Sequence, residues 1–179
     1  MISDYPGTVI VVSHDRDFLD RMTLTSRRQG SELHISADIP EKSVVFGFFS
    51  ARLDFAVTLP AAMPVEIDDD SGSIYVANTG PTKIDDDSGS IEARNIRGNL
   101  VINDDSGSID IDTVAGNVII EDDSGEIIVK NIQGNVEIED DSGSMTIARV
   151  SGSLRVRDDG SGSIVAQNVR GDVMVDNDG

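Results

Sequence analysis

Short segments in which apolar and polar residues alternate occupy the last two-thirds of the chain. Ile127-x-Val129 and Val136-x-Ile138 are two examples, and each is followed by a bend rich in Gly, Asn, Asp or Ser. Alternation with a period of two indicates short strands with one buried face, and these bend residues are typical of turns. No segment keeps apolar residues at helical spacing for long. The pattern therefore predicts short strands joined by tight bends.

One of the two bends recurs almost letter for letter. The motif Asp-Asp-Ser-Gly-Ser occurs at 69–73, 86–90, 104–108 and 140–144, with variants at 122–125 and 158–163, and its Ser-Gly pairs lie 17, 18, 18, 18 and 19 residues apart. A fixed period indicates a repeat architecture. In stacked coils equivalent residues form ladders, so Ile109 should lie over Ile127 and Ile127 over Met145. The sequence predicts an all-β protein, a β-solenoid (β-helix) of about six 18-residue coils with two short strands per coil.

The segments before the repeats predict a cap. We assign 67–179 to the coils and 24–66 to capping strands, because alternating residues at 33–37 and 53–59 precede the first coil and an aromatic cluster lies at 44–49. A solenoid needs an atypical terminal unit over its open edge. No cap is visible after the last coil, which predicts either a longer natural protein or edge-to-edge self-association of the C-terminal coil.

Residues 1–23 do not follow the repeat. Residues 8–12 predict a strand, and 15–22 predict a short helix capped by Ser13. This short strand-helix appendage resembles the end of the nucleotide-binding domain in F-subfamily ATP-binding cassette proteins, where His14 would be the switch histidine that contacts the γ-phosphate. The resemblance covers about a tenth of the chain, and no phosphate-binding G-x-x-x-x-G-K-[ST] loop is present. We interpret the segment as a cassette-like fragment without nucleotide function.

Charge and composition limit the classes of binding partner that the protein could have. With 14 Lys and Arg against 33 Asp and Glu, the formal net charge is −19, which argues against nucleic acid and anionic membranes. It leaves cations, basic partners or plain solubility as explanations of the charge. There is no cysteine and therefore no disulfide. We expect no membrane insertion, because no apolar run reaches the length of a spanning helix, and we recognise no signal peptide at the N-terminus.

The lead-in Ala-Val-Thr-Leu-Pro at 56–60 and the repeated pattern G-N-V-x-I-x-D-D-S-G-S are similar to a bacterial adhesin-like β-solenoid family of unknown function. The resemblance covers about residues 24–179. It implies a β-solenoid and a place at the bacterial cell surface or envelope. It implies no catalytic residue.

The acidic turns are the candidate functional site. Stacking predicts two neighbouring aspartate columns, and we expect the second aspartate of each pair to point partly inward, since it takes the position that Ile132 or Val150 fills in the other half-coil. The side chains can splay into solvent, accept backbone N–H groups of the turn, or bind Ca²⁺ between coils. The columns are Asp86, Asp104, Asp122, Asp140 and Asp158, and Asp87, Asp105, Asp123, Asp141 and Asp159.

An enzyme is not supported by the sequence. The acids are periodic, which is typical of structure and not of a single catalytic site, and both histidines, His14 and His34, precede the coils. The absence of Trp argues against a sugar-binding cleft. We predict a non-enzymatic acidic scaffold or adhesin-like interaction module without a cofactor. The alternatives are a Ca²⁺-binding solenoid and the remnant of a cassette protein.

Overall fold

The computed structural model describes residues 8–13, 23–29, 32–38 and 53–177. The chain divides into two units, Met1–Leu59 and Pro60–Gly179. In the first unit β1 (Thr8–Ser13) lies antiparallel to β4 (Leu53–Thr58), and β2 (Thr23–Gln29) lies antiparallel to β3 (Glu32–Asp38). The strands expected near residues 8–12 and 53–59 are therefore present. The expected helix at 15–22, His14 and the aromatic cluster at 44–49 lie outside the described residues.

The second unit is a β-solenoid of about six turns over residues 65–176, which confirms the predicted fold. The strand pairs between neighbouring coils are all parallel. The first strand of the solenoid begins at Val65, two residues before the start of the coils expected from the sequence. The described part of the chain contains no helix long and apolar enough to span a membrane. The strands are β5 (Val65–Asp69), β6 (Gly72–Ala77), β7 (Thr82–Asp86), β8 (Gly89–Ile96), β9 (Leu100–Asp104), β10 (Gly107–Val114), β11 (Val118–Asp122), β12 (Gly125–Ile132), β13 (Val136–Val150), β14 (Leu154–Val169) and β15 (Val173–Asn177).

Each coil contributes one strand to each of two walls. One wall follows the order β5, β7, β9, β11 and β13, and the other follows β6, β8, β10, β12 and β13, so β13 runs through its acidic turn and belongs to both. Ile109 pairs with Ile127, and Ile127 with Met145, as predicted. The core between the walls is a stack of aliphatic side chains, among which Ile84, Ile102, Ile109, Ile111, Ile127, Val129, Ile138 and Ile147 are fully buried.

In each strand every second side chain points into the core, and the two walls differ in how far along the strand this pattern continues. In one wall Ile127, Val129 and Ile132 are buried, and the step from 129 to 132 contains Asn131, which has φ 59° and no partner in the strand ladder. A residue in the left-handed region acts like a bulge and shifts the following side chain to the other face. In the other wall no such residue intervenes, and the alternation continues from Val136 through Ile138 to Asp140.

Candidate functional site: two aspartate columns

The first aspartate of each acidic pair points into the solenoid. The side chains in this inner column are only 4%, 3%, 5% and 1% exposed in Asp86, Asp104, Asp122 and Asp140, respectively. The second aspartates, Asp87, Asp105, Asp123 and Asp141, are exposed and form the outer column. The expectation that the second aspartate points inward is therefore wrong. It rested on analogy with Ile132, whose position depends on a left-handed residue that the acidic strands lack.

The inner column follows the strand register. Asp86 pairs with Asp104, Asp104 with Asp122, and Asp122 with Asp140, through β7, β9, β11 and β13. Asp69, which is half-buried, precedes the column in the same register. The backbone of Asp158 continues it, and the side chains of Asp158 and Asp159 lie outside the described ones. The sequence therefore predicted the column of first aspartates correctly as a ladder.

The turns hold one oxygen of an inner carboxylate. The amide of Ser88 donates to Oδ1 of Asp86 at 3.3 Å, Ser106 donates to Asp104 at 3.3 Å, and Ser142 donates to Asp140 at 3.1 Å. Such bonds two residues along the chain are Asx turns. The serine hydroxyls tie successive turns together, since each donates to the carbonyl of an outer-column aspartate in the preceding coil, as Ser106 does to Asp87 at 3.3 Å.

Other oxygens of the inner column are buried and lack a hydrogen bond. Oδ2 of Asp86 and Oδ2 of Asp104 have no hydrogen-bond partner, and the one donor that acts on the Asp122 carboxyl is the amide of Ser124. Burial raises the pKa of Asp104 to about 6, and the neighbouring charges of Asp86 and Asp105 act in the same direction against the Ser106 amide. Burial raises the pKa of Asp122 to about 7, assisted by the charges of Asp104 and Asp140. The inner carboxyls are therefore held in an environment that disfavours their charged form.

Two carboxylates on the outer faces of the walls have lowered pKa values, in contrast to the inner column. Asp110 accepts two hydrogen bonds from Arg94, at 2.6 Å from Nη2 and 3.0 Å from Nη1, and this contact lowers the pKa of Asp110. Asp85 accepts hydrogen bonds from Lys83 and from Nδ2 of Asn103, the latter at 2.6 Å, and its pKa is also lowered. These wall carboxylates have individual donors, whereas the charged groups that act on the inner column are themselves aspartates.

The bend opposite the acidic turns carries a column of asparagines, whose function the sequence analysis did not identify. Oδ1 of Asn99 accepts from the amide of Asn117 at 3.0 Å, Asn117 accepts from Asn135 at 2.9 Å, and Asn135 accepts from Ser153 at 2.9 Å. The available signal was the Gly-Asn pair that recurs at 98–99, 116–117 and 134–135, in each case directly before a Val or Leu. The column satisfies backbone amides between coils and is structural.

A shallow depression lies beside this bend. It has a volume of about 300 Å³ and is lined by Asn78, Asn95, Ile96, Arg97, Thr113 and Ala115. Arg97 is the one charged residue in this lining, so the depression contains neither a carboxylate nor a histidine that could act as a general acid or base.

No group of three or more His, Cys, Asp or Glu side chains in the described ranges is arranged around a common metal position. A cation in the acidic columns would therefore be held by carboxylates from successive coils, and the calcium hypothesis stays a prediction. No family model, curated protein or solved structure matches this chain. The similarities to adhesin-like solenoids and to cassette proteins likewise stay predictions.

Proposed function

We propose that the protein is a non-enzymatic interaction module, an acidic β-solenoid that presents its outward faces to a partner. The observation that carries this proposal is the contrast between inward and outward columns in the same strands. The inward column beside the acidic turns is almost uniform: Ile74, Ile91, Ile109, Ile127, Met145 and Ile164. The adjacent outward column varies in size and charge: Tyr75, Glu92, Asp110, Ile128, Thr146 and Val165.

The uniform column maintains the coil, and the varied one is free to differ because solvent surrounds it. Repeat proteins use such extended faces for binding. The exposed outer column of Asp87, Asp105, Asp123 and Asp141, together with the net charge of −19, favours a cationic partner. An adhesin-like role at a bacterial surface is the biological setting that the motif resemblance supports.

The inner aspartates support a structural role more than a catalytic one. A carboxyl with a raised pKa is a common mark of an acid catalyst. Asp104 and Asp122, however, are only 3% and 5% exposed, so a substrate cannot reach them without opening the coil. The outer column is accessible but periodic, and we find no pair of carboxyls there that environment distinguishes into an acid and a base.

Binding to a defined cationic probe tests the proposal. We expect the 179-residue protein to bind immobilised poly-L-lysine in a salt-sensitive manner and the quadruple variant D87N/D105N/D123N/D141N to bind at least about tenfold more weakly. The matched control, E66Q/D68N/E121Q/E126Q, removes the same number of exposed charges from the walls and should lose clearly less. Equal losses in both variants would show that only net charge matters and would contradict a binding role for the outer column.

The non-enzymatic part of the proposal has a separate test. Parallel β-helices include enzymes that cleave polysaccharides, so the protein should be incubated with neutral and uronic-acid polysaccharides and assayed for new reducing ends. We expect no release above that of a heat-denatured sample. Turnover that disappears in an Asp→Asn variant of either column would refute the proposal.

A further inference from the structure

Three carboxyls of the inner column are buried in the core with a single hydrogen-bond donor each. The amides of Ser88 and Ser106 donate to Oδ1 of Asp86 and Asp104, while Oδ2 of both aspartates is buried and has no hydrogen-bond partner. One turn amide acts on the buried carboxyl of Asp122. A charged carboxylate can accept several hydrogen bonds, and burying it with one is costly. A proton removes the charge and, unlike a metal ion, needs no cavity.

The groups around these carboxyls favour the protonated form. The inward side chains that follow the acidic turns on the opposite wall are Ile91, Ile109 and Ile127, which carry no charge. Lys83 and Arg94 pair with carboxylates on the outer faces of the walls. The charged groups that act on the three carboxyls are all acidic: Asp69, Asp86, Asp104 and Asp140 within the column, and Asp87, Asp105 and Asp123 beside it.

The inner aspartates also hold successive coils together through their backbone. The amide of Asp105 donates to the carbonyl of Asp86 at 3.2 Å, and the amide of Asp123 donates to the carbonyl of Asp104 at 3.2 Å. Because the side chain and this carbonyl belong to the same residue, a carboxylate that moves from the core into water displaces the carbonyl that the next coil uses. Ionisation of the column is therefore coupled to separation of the acidic turns.

We propose that the inner aspartate column is a proton-operated latch, which keeps the acidic turns closed while its carboxyls are protonated and lets these turns open locally when the carboxyls ionise. The pKa is raised by burial to about 6 in Asp104 and to about 7 in Asp122. The closed turn therefore binds these protons more tightly than the open turn, and its advantage is lost as the pH rises through these values. The latch does not depend on the proposed binding of a cationic partner.

The opposite bend has the same stacking without a titratable group. There the side-chain oxygen of Asn117 accepts the amide of Asn135 at 2.9 Å, and the amide of Gly134 donates to the carbonyl of Gly116 at 3.1 Å. A carboxamide carries no charge that changes with pH. We therefore expect the opening to be confined to the acidic edge of each coil, as a local event below global unfolding.

Amide hydrogen exchange of the 179-residue protein, followed by NMR from pH 5.5 to pH 8.5, tests the latch. Rates are divided into the intrinsic rate at each pH to give protection factors. We expect the protection factor of the Asp123 amide to fall at least about tenfold as the pH rises, and that of the Gly134 amide to change by less than about threefold. In D104N/D122N the fall at residue 123 should disappear. In the control D105N/D123N, which removes the same charge from the exposed neighbours, it should remain.

A carbon-13 titration of the aspartate side chains reads the protons directly. We expect carboxyl resonances that titrate above pH 5.5 in the wild-type protein and are absent from D104N/D122N, and the single variant Asp122→Asn replaces the double variant if that one fails to fold. Three results would overturn the latch: a protection factor at Asp123 that does not change with pH, an equal loss at Asp123 and Gly134, or a fall that persists in D104N/D122N.

Discussion

The inner aspartates should give this protein an unusual dependence of stability on pH. Their pKa values are raised by burial, to about 6 for Asp104 and about 7 for Asp122, so the folded state binds these protons more tightly than the unfolded chain does. Such a group contributes stability that is complete below the unfolded pKa, near pH 4, and is lost as the pH rises through the folded pKa. Most proteins behave in the opposite way, because their carboxyls are stabilised as anions.

In EDTA we therefore expect Tm, measured by circular dichroism, to fall as the pH rises from 5 to 8. Asp85 and Asp110 have lowered pKa values and lose their contribution only as the pH falls below about 4, so they do not act in this window. The decline should flatten in D104N/D122N and remain in D105N/D123N, which separates it from the general effect of net charge. A wild-type Tm that is constant or rises over this range would contradict the prediction.

The glycine of the acidic turn is required by the stacking of the coils. Gly107 has φ +148°, and a Cβ on it would lie 1.6 Å from the carbonyl oxygen of Gly89 in the coil before. Because that neighbour is backbone, it cannot move aside without separating the strands.

Replacing Gly107 with Ala should therefore cost at least about 3 kcal/mol of the free energy of unfolding or prevent folding, measured by urea denaturation. Ser108→Ala is the matched control. This exposed side chain makes a hydrogen bond of 3.2 Å with the Ser90 hydroxyl, and its loss should change the free energy of unfolding by no more than about 0.5 kcal/mol. Similar stability of the two variants would show that the turn backbone can rearrange.

At the scale of the element, the sequence predicted the positions of the strands correctly. It did not predict which aspartate at the end of a strand points inward. Period two and the spacing of the turns were sufficient for two strands per coil, and the same alternation, carried on from Val136 and Ile138, places Asp140 inside. The analogy with Ile132 failed because Asn131 adopts φ 59° and shifts the phase of that wall alone. Backbone handedness at one residue is not visible in a hydrophobic pattern.

The left-handed position also offers a way to stabilise a coil. Asn occupies it at 78, 95, 131 and 168 and Arg at 149, whereas Thr113 has φ 67° in the central coil. A β-branched residue is strained there, and Asn tolerates this conformation. We expect Thr113→Asn to raise the free energy of unfolding by about 0.5–1 kcal/mol through relief of this strain. The exchange also removes the hydrogen bond of 2.7 Å from the Thr113 hydroxyl to Asp112, and that loss offsets part of the gain.

Urea denaturation measures this gain. Thr146→Asn is the appropriate control, because Thr146 is exposed within a strand and has no positive φ, so the same exchange should there be neutral or slightly destabilising. If both exchanges have the same effect, the conformation of residue 113 does not limit the stability of its coil.

At the scale of the whole solenoid, protection of the core depends on having a coil on each side. Ile111 and Val129 in the middle are fully buried, whereas Ile74 and Val76 in the first coil are 8% and 6% exposed. A solenoid is close to one-dimensional, and each repeat is stabilised only by its neighbours. The terminal coils therefore determine how the whole molecule frays or associates.

The last coil should make this chain self-associate. Strand β15 pairs with β14 and with no other described strand, and its Val173, Met174 and Val175 are 52%, 52% and 45% exposed. An apolar strand with a free row of N–H and C=O groups pairs readily with another chain. We expect sedimentation velocity to show dimers that increase with concentration, and Met174→Lys to remain monomeric, since lysine on an edge strand opposes pairing and Met174 lies in the same outward column as Ile119. Ile119→Lys is the control, because Ile119 is 39% exposed but belongs to β11, which has a partner on both sides. If Ile119→Lys abolishes the dimer as effectively, association uses the faces of the walls, and the open edge is not the interface.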